Sequence, residues 1–454
     1  MEQAESSYWQ KTKHFFAVLV PIFIAQTAIV SVGFFDSVMA GHVSEQDLAG
    51  VAVGVNIFMP FYIACLATIS GLTPRIAQLY GGQQHAEIRA VVQQGFYWSL
   101  MLAVILLLAG IVTVPLILPY LQLEPYVETV VVRFLLAIAF GVPPIMAASV
   151  LRNLMDALGQ TRLTMLITII TVPIIICCNY VFIYGVGPFP QCGGAGAGVG
   201  TAIAYYVNLG LSILLVKKVK LFQRYKVFSQ LPKPNWQEWK QQLALGLPIG
   251  STVFCEQSIF DAVGLLMTAY GTEVLAAHQA TMSFNNVVYM IPFSISMALT
   301  IVVGYELGAK RPEAAKEYAR LGRGLSVLFA WSLAVVIYHI RPFIASLYSD
   351  EPGLSELIVA FLGYAIILQS VDGINAPLQG ILRGYKDVTT AFLLAIFSFW
   401  VVGLPGGWLY AHFGFGPYGY WLGLISGIFS GAILLEIRLR IVQKRQAKNF
   451  LQKK

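Results

Sequence analysis

Three acidic residues lie within long apolar segments, where an ionised side chain is costly unless it binds a partner. Asp36 ends the uncharged run FFAVLVPIFIAQTAIVSVGFF, Glu256 lies in GLPIGSTVFCEQSIFDAVGLLM, and Asp372 lies in IILQSVDGINAPLQGILRGYKD. A buried carboxylate is relieved by protonation or by a bound cation, for which its oxygens are hard ligands. These residues therefore predict the binding and release of an ion.

Asp36 is predicted to lie towards the outer end of a membrane-spanning helix. It follows Phe15 by 21 residues, which corresponds to about 30 Å of helix. No Lys or Arg lies within a helical turn of it. Two interpretations stay open: an ion-coupling carboxylate, or a carboxylate that already lies in the outer headgroup region.

Glu256 and Asp372 lie in the second half of the chain, each near the middle of its apolar segment. Two acids that face one cavity without a basic partner would form a cation site or share a proton. If the ion is Na⁺, these two carboxylates are its predicted ligands. Phe260, one turn further on, shares the helix face of Glu256, whereas Asp261 does not. For either acid alone, the alternative is a hydrogen-bonded structural role.

The composition indicates a polytopic membrane protein. Of the 454 residues, 57% are hydrophobic and 11% are charged, whereas soluble domains carry about 25% charged residues. Cytoplasmic loops explain the net charge of +7 better than nucleic acid does. Backbone groups in lipid must be satisfied within their own segment, so the apolar stretches are predicted helices. Twelve occur, at roughly 14–41, 48–76, 91–119, 128–151, 163–186, 195–216, 243–270, 275–305, 321–340, 354–381, 389–412 and 418–437.

The distribution of Lys and Arg predicts the orientation of these helices. If the N-terminus is cytoplasmic, the inside segments hold or border 27 of the 29 basic residues, and the exceptions are Arg133 and Arg341. The outside loops LPYLQLEPYVE, GVGPFPQCGGAG and YAHFGFGPYGY hold none. Both termini are therefore predicted to be cytoplasmic.

The sequence predicts that the two halves of the chain are copies of one another. Pro21 and Pro248 are 227 positions apart, as are Gly81 and Gly308, and each pair lies at the same place relative to its span. Six spans per copy is an even number, so both copies have the same orientation. We therefore predict an all-α integral membrane fold of two pseudo-symmetric six-helix lobes.

The predicted lobes are joined by the most basic loop of the chain. This loop is either a lipid-surface segment or a solvated cytoplasmic linker, and Asn235 is a candidate N-cap for the helix after it. The predicted organisation is a lobe at 1–216, a linker at 217–240, a lobe at 241–441 and a basic cytoplasmic tail at 442–454.

Motifs for enzymatic chemistry are missing from the sequence. The six histidines show no metal-binding spacing, and no Walker A, HExxH or GxSxG motif occurs. The run GGAGAGVG at 193–200 lacks the Lys-Ser/Thr of a phosphate loop, and close helix packing explains it better. Arg133 is interpreted as structural, paired with Glu128 or reaching outwards. We therefore predict a transporter without a cofactor.

Several short phrases together resemble the multidrug and toxic compound extrusion (MATE) family, in its bacterial NorM branch. They cover essentially the whole chain, in the order VGFFDSVMAGHVSEQDLAGVAV from residue 32, MDALGQTR at 155–162, NYVFIYG at 179–185, LAAHQA at 275–280 and LRGYKD at 382–387. The resemblance implies two six-helix lobes that face a common cavity. It also implies export of cationic, aromatic drugs in exchange for Na⁺ or H⁺.

The resemblance also assigns site residues. The implied cation-coupling residues are Asp36, Asn179, Glu256 and Asp372, and the implied substrate-binding residues are Phe260, Gln279, Asp350 and Glu351. The family often has a second Asn one turn before the position of Asn179, where this chain has Ile175. The polar site of the first lobe is therefore predicted to be reduced.

These inferences predict a monomeric, cation-coupled multidrug efflux antiporter of the plasma membrane that works by alternating access. Its partners would be small cationic compounds and membrane lipid, with no nucleic acid. The alternative is a lipid-linked oligosaccharide flippase of related architecture. Such a protein would line its cavity with several Arg or Lys residues to hold a pyrophosphate, and the sequence offers only Arg133.

Overall fold

Helices make up nearly all of the described chain, and no strand occurs within it. The computed structural model describes residues 8–229, 232–349 and 351–451. The helices of the first half are α1 (Tyr8–Gly41), α2 (Glu45–Ile69), α3 (Leu72–Gly81), α4 (His85–Ile117), α5 (Pro125–Ala139), α6 (Val142–Ala157), α7 (Thr161–Tyr184), α8 (Ala195–Lys218) and the short α9 (Lys220–Gln223).

The second half repeats this order with fewer breaks. Its helices are α10 (Trp236–Met267), α11 (Thr272–Gly308), α12 (Pro312–Ser346), α13 (Pro352–Gly384), α14 (Val388–Ile396), α15 (Leu404–Tyr410) and α16 (Pro417–Leu451). Two π-helical segments, Phe397–Gly403 and Ala411–Phe415, continue α14 and α15 so that the four helical pieces form one span.

Within the described residues, twelve helical segments are long and apolar enough to cross a membrane when one bent helix pair is counted as a single span. Eleven are single spans among the described residues, and the twelfth is the pair α5 and α6, bent by 45° at the break between Ala139 and Val142. The twelve apolar stretches predicted from the sequence are thereby confirmed as helices. α5 ends where Gly141 packs against the backbone of Ala202 in α8, a close approach that a larger residue would obstruct.

The helix boundaries repeat at the same interval as the sequence. α2 begins at Glu45 and α11 at Thr272, while α3 ends at Gly81 and α11 at Gly308, each pair 227 positions apart. α4 and α12, α5 and α13, and α7 and α14 begin at the same interval. The predicted repeat is therefore confirmed at the level of individual helix ends.

The chain forms two units that exchange the starts of two helices. The N unit comprises Ile24–Gly250, and the C unit comprises the described residues up to Phe23 together with those from Ser251 onwards. The start of α1 therefore belongs to the C unit, and the start of α10 belongs to the N unit. The breaks after Phe23 and Gly250 are again 227 positions apart.

The start of α1 is packed into the C unit by its apolar face. Phe15, Val18 and Ile22 lie in one buried cluster with residues of α11, α12, α13 and α16. At the polar end of the same segment, Lys11 forms an ion pair with Glu317 of α12.

The start of α10 is held in the N unit by polar contacts. Glu238 accepts a hydrogen bond from Arg75 at 2.6 Å, and Trp239 donates to the side-chain oxygen of Gln94 at 2.9 Å. Gln242 donates to the carbonyl of Val91 at 3.0 Å. Asn235 caps the helix as predicted, because its side chain accepts from the backbone nitrogen of Gln237.

The two exchanged segments also share a sequence pattern. Residues 9–13 read WQKTK and residues 236–240 read WQEWK, again 227 positions apart. Trp9 and Trp236 are 73% and 70% exposed. Lys13 and Lys240, four residues further along, are exposed as well, and the positions between carry the ion pairs that hold each segment.

The loop before α10 follows the end of α4 closely. Gln93 donates to the carbonyls of Val227 and Ser229 at 2.9 and 2.7 Å, and Gln94 donates to the carbonyl of Lys233 at 2.9 Å. The side chains of Tyr225 and Val227 are buried. This stretch is therefore anchored to the N unit by its backbone.

The Arg75–Glu238 ion pair is expected to stabilise the packing of the start of α10 in the N unit. Glu238→Gln leaves Arg75, whose side chain is 9% exposed, without a counter-charge. We expect the variant to lose about 1–3 kcal/mol of stability, measured as a lower Tm of the protein purified in detergent.

Glu273→Gln is the matched control. Glu273 lies exposed in the first turn of α11, so the same substitution there should leave the Tm unchanged. Equal Tm values for the two variants would contradict a structural role for the pair.

Candidate functional site

In the N unit, Asp36 is paired with a buried amide. The side-chain nitrogen of Asn179 in α7 donates to a carboxylate oxygen of Asp36 in α1 at 2.6 Å. Asn179 is fully buried, and within the described part of the chain its own side-chain oxygen has no partner. One turn away, Tyr184 donates to the carbonyl of Met39 at 3.0 Å and fixes α7 against the end of α1.

The position of Asn179 depends on a glycine in α8. A Cβ at Gly200 would overlap both the side-chain oxygen and the backbone nitrogen of Asn179. One turn before Asn179, Ile175 is a buried apolar residue, so it adds no polar group next to Asp36. The N unit thus combines one carboxylate with one amide.

In the C unit, Glu256 is connected to an arginine through a glutamine. The side-chain nitrogen of Gln379 donates to Glu256 at 2.5 Å, and a guanidinium nitrogen of Arg383 donates to the side-chain oxygen of Gln379 at 3.3 Å. Gln379 and Arg383 both lie on α13. Arg383 is therefore connected to Glu256 only through the Gln379 amide, and neither acid has a direct basic partner among the described residues.

Asp372 lies on the same side of α13 as this chain of hydrogen bonds, since residues seven and eleven positions apart share a helix face. It is 8% exposed, and within the described part of the chain no donor reaches its carboxylate. Glu256 acts on it electrostatically, and Glu256, Asp372 and Arg383 all act on Tyr289 of α11. The structure thus brings the two predicted acids into one cluster.

Asn375, on the same helix as Asp372, has a buried side-chain oxygen without a partner among the described residues. It lies one turn after Asp372 and is 4% exposed. A buried amide oxygen without a donor is available to a cation or a water molecule.

Phe260 and Gln279 lie near the same end of α10. Phe260 is partly buried against the cluster formed by α10, α11, α12, α13 and α16. Gln279 is exposed, and its side-chain nitrogen lies close to Gly264, one turn after Phe260. An aromatic ring and an amide are therefore presented along the same stretch of α10, one and two turns beyond Glu256.

The remaining predicted residues lie apart from this cluster. Glu351 is exposed and directly precedes α13, while Asp350 lies outside the described residues. Asp261 is exposed and accepts a hydrogen bond from Gln257 at 3.3 Å. Arg133 is exposed as well, and no ion pair with Glu128 occurs among the described residues.

No group of three or more His, Cys, Asp or Glu in the described chain is placed to hold a metal ion. A bound Na⁺ would therefore combine the carboxylates of Glu256 and Asp372 with amide, hydroxyl or water oxygens.

Sequence reasoning missed Tyr289, Gln379 and Arg383. A signal for the last two was present, because they follow Asp372 by seven and eleven residues and so lie on its helix face. No comparable signal existed for Tyr289, which comes from another helix.

Comparisons with known proteins identify the class. A family model described as MatE matches residues 21–181 and again residues 248–409, so the match itself repeats after 227 positions. The chain belongs to the MATE family of transporters. This membership confirms the resemblance seen in the sequence and the prediction that the protein is not an enzyme.

Relatives place the chain in the NorM branch. It is 43% identical to the "Probable multidrug resistance protein NorM" of Halalkalibacterium halodurans, with 96% of this chain and 95% of the relative covered. It is 39% identical to the protein of the same name from Listeria monocytogenes, with 98% of each covered. Among solved structures it is similar to the eukaryotic MATE transporter AtDTX14, with a TM-score of 0.89, 17% identity and 98% and 99% of the two chains covered.

The contact between α8 and Asn179 provides a test of the N-unit site. Gly200→Ala forces the Asn179 side chain away from its place, and overpacking of this kind costs about 1–3 kcal/mol. We expect a lower Tm in detergent, although Gly→Ala within a helix is otherwise stabilising.

Gly210→Ala on the same helix is the matched control. Nothing lies within 4 Å of a Cβ built at Gly210, so this variant should be as stable as the unsubstituted protein or slightly more stable. A Tm for Gly200→Ala at or above that of Gly210→Ala would argue against the tight contact.

Proposed function

We propose that the protein is a secondary antiporter that exports cationic, aromatic compounds across the plasma membrane in exchange for Na⁺ or H⁺. The observation that carries the proposal is the pair of acids in the C unit, Glu256 and Asp372, with Arg383 held at a distance by an amide. Such a cluster keeps a net negative charge inside an apolar bundle, which favours a cation of either kind.

The exchange would follow from competition for these carboxylates. A drug and a coupling ion that neutralise the same charge cannot both be bound with full affinity, so uptake of one releases the other. The ion moves the equilibrium between the inward- and outward-open states only by its difference in affinity for them. A membrane potential adds about 2.3 kcal/mol per charge for each 100 mV.

The drug class is supported by the relatives and by the residues beside the acids. The NorM relatives named above carry the description of multidrug resistance proteins. Phe260 offers an aromatic face for stacking or cation–π contact, and Gln279 offers a polar group. The exposed Glu351, together with Asp350, would attract cations before they enter.

The coupling ion would use both units. In the N unit, Asp36 with Asn179 would hold a proton or help to bind an ion. In the C unit, a Na⁺ would find the oxygens of Glu256 and Asp372 and the unpaired oxygen of Asn375, whereas H⁺ needs only the carboxylates.

The protein would work as a monomer in lipid, with both termini in the cytoplasm. The exposed Trp9 and Trp236, each followed by an exposed Lys, suit the boundary between headgroups and acyl chains. Reporter fusions at the two ends test this orientation.

Reconstitution into proteoliposomes tests the function directly. Vesicles are loaded with ethidium or a similar cation, and a Na⁺ gradient and a pH gradient are imposed separately. We expect one of the two gradients to drive ethidium against its own gradient. Failure of both would refute the antiporter proposal, and the gradient that works identifies the ion.

Substitution of the acids tests the assignment of the site. Glu256→Gln and Asp372→Asn remove one charge each while keeping the shape, and we expect gradient-driven transport to fall at least about tenfold. Asp261→Asn, an exposed acid five residues after Glu256, should keep full transport. Undiminished transport by both of the first two variants would exclude the C-unit site.

A further inference from the structure

Arg383 is a basic residue linked to the acid cluster of the C unit, and the proposed exchange gives it no part of its own. We propose that Arg383 is a specificity-determining residue: by cancelling one of the two negative charges of Glu256 and Asp372, it restricts the C unit to singly charged cations. The inference rests on the proposed function and names the charge class of its substrate.

Two hydrogen bonds connect Arg383 to Glu256 through the side chain of Gln379. A guanidinium only donates and an ionised carboxylate only accepts, so the amide between them has one allowed orientation. The Gln379 oxygen faces Arg383 and its nitrogen faces Glu256, as the structure shows. The arrangement therefore holds Glu256 as an acceptor and keeps the positive charge one side chain away.

This distance is what leaves the acids open to a ligand. Among the described residues, Arg383 makes no direct ion pair, and its charge reaches Glu256 and Tyr289 through space. A direct Arg–carboxylate pair would satisfy the carboxylate and close the site. With the amide between them, two negative charges and one positive charge leave a deficit of one, which one monovalent cation fills.

The N unit shows the opposite arrangement at the equivalent positions. Gln379 and Arg383 correspond, 227 positions earlier, to Arg152 and Asp156. There the arginine has its counter-charge one turn away on the same helix, with 3.7 Å between the two side chains, and it also donates to Gln26 at 2.9 Å. The N-unit arginine is thus neutralised locally, whereas Arg383 forms no ion pair among the described residues and its charge acts on Glu256 and Tyr289.

A simpler interpretation is that Arg383 merely stabilises the end of α13. It lies in the last turn, where a positive charge interacts favourably with the helix dipole. That interpretation predicts an effect on stability but none on which charge the protein prefers. Its hydrogen bond runs back to Gln379, one turn into the helix, rather than to the terminal carbonyls.

The size of the expected effect follows from Coulomb's law. We take a separation of about 8–10 Å between the guanidinium of Arg383 and a bound cation, and an effective dielectric constant of about 20. Removal of the Arg383 charge then changes the affinity for a singly charged cation by about 10- to 30-fold. The change applies once to a singly charged ligand and twice to a doubly charged one. The ratio of the two affinities should therefore change by about 10- to 30-fold as well.

The test is equilibrium binding of three matched probes to the full-length protein purified in detergent. The probes are neutral triphenylphosphine oxide, the monocation tetraphenylphosphonium and the dication butane-1,4-bis(triphenylphosphonium). The unsubstituted protein should bind the monocation in preference to the dication. Arg383→Gln should raise the dication-to-monocation affinity ratio by about 10- to 30-fold, and the affinity for the neutral probe should not change.

Two further variants separate charge from folding. Arg383→Lys keeps the charge and a donor and should restore the original ratio, and Arg133→Gln, at an exposed arginine, should not alter it. If Arg383→Gln is too unstable to purify, Arg383→Met serves in its place, because it also removes the charge but keeps an apolar side chain of similar length. An unchanged ratio in the charge-removing variant overturns the inference.

Failure of the proposed function has a different signature. An unsubstituted protein that binds none of the cations refutes the antiporter proposal and this inference with it. An unsubstituted protein that binds and transports cations, with an Arg383→Gln variant of the same charge preference, refutes the inference alone.

Discussion

An ionised acid inside an apolar helical bundle must find its hydrogen-bond donors within the bundle, because no water or lipid headgroup is there to supply them. In each unit one acid meets this constraint with a primary amide, whereas no donor among the described residues reaches Asp372. Asn179 donates to Asp36 at 2.6 Å, and Gln379 donates to Glu256 at 2.5 Å. An amide stabilises a carboxylate without adding a charge, so the acid keeps its attraction for a cation. Gly200 leaves room for the amide of Asn179. The amide of Gln379 lies on the face of α13 that also carries Asp372 and Arg383.

The fold can be predicted from the sequence because lipid offers the backbone no hydrogen-bond partners. Every apolar stretch must be helical, and the interval of 227 residues, visible from Pro21 and Pro248 alone, recurs in the starts of α4 and α12. The exchange of helix starts could not be foreseen. Whether Phe15 packs against α11 or against a helix of the N unit depends on side-chain packing between distant segments, and hydropathy carries no information about that choice.

The acids of the candidate site were visible in the sequence, whereas their partners were not. A carboxylate stands out in an apolar run, so Asp36, Glu256 and Asp372 could be selected from residue type alone. Burial of an amide such as that of Gln379 costs far less free energy than burial of a charge. Its residue type alone therefore does not indicate a functional role. Its importance appears only once α10 and α13 are known to be neighbours, because its two ends then meet an acid and a base.

The repeat explains why the halves agree in backbone but differ in chemistry. Helix lengths are constrained by the thickness of the membrane, so both copies keep the same boundaries. Side chains in the interior face no such constraint: Asp36 corresponds to Val263, a buried core residue, and the pair Arg152 and Asp156 corresponds to Gln379 and Arg383. The C unit therefore has no ion pair at these positions, and its arginine is linked to Glu256 through Gln379. A duplicated bundle can in this way keep the same helix boundaries in both halves while the charged side chains inside the halves differ.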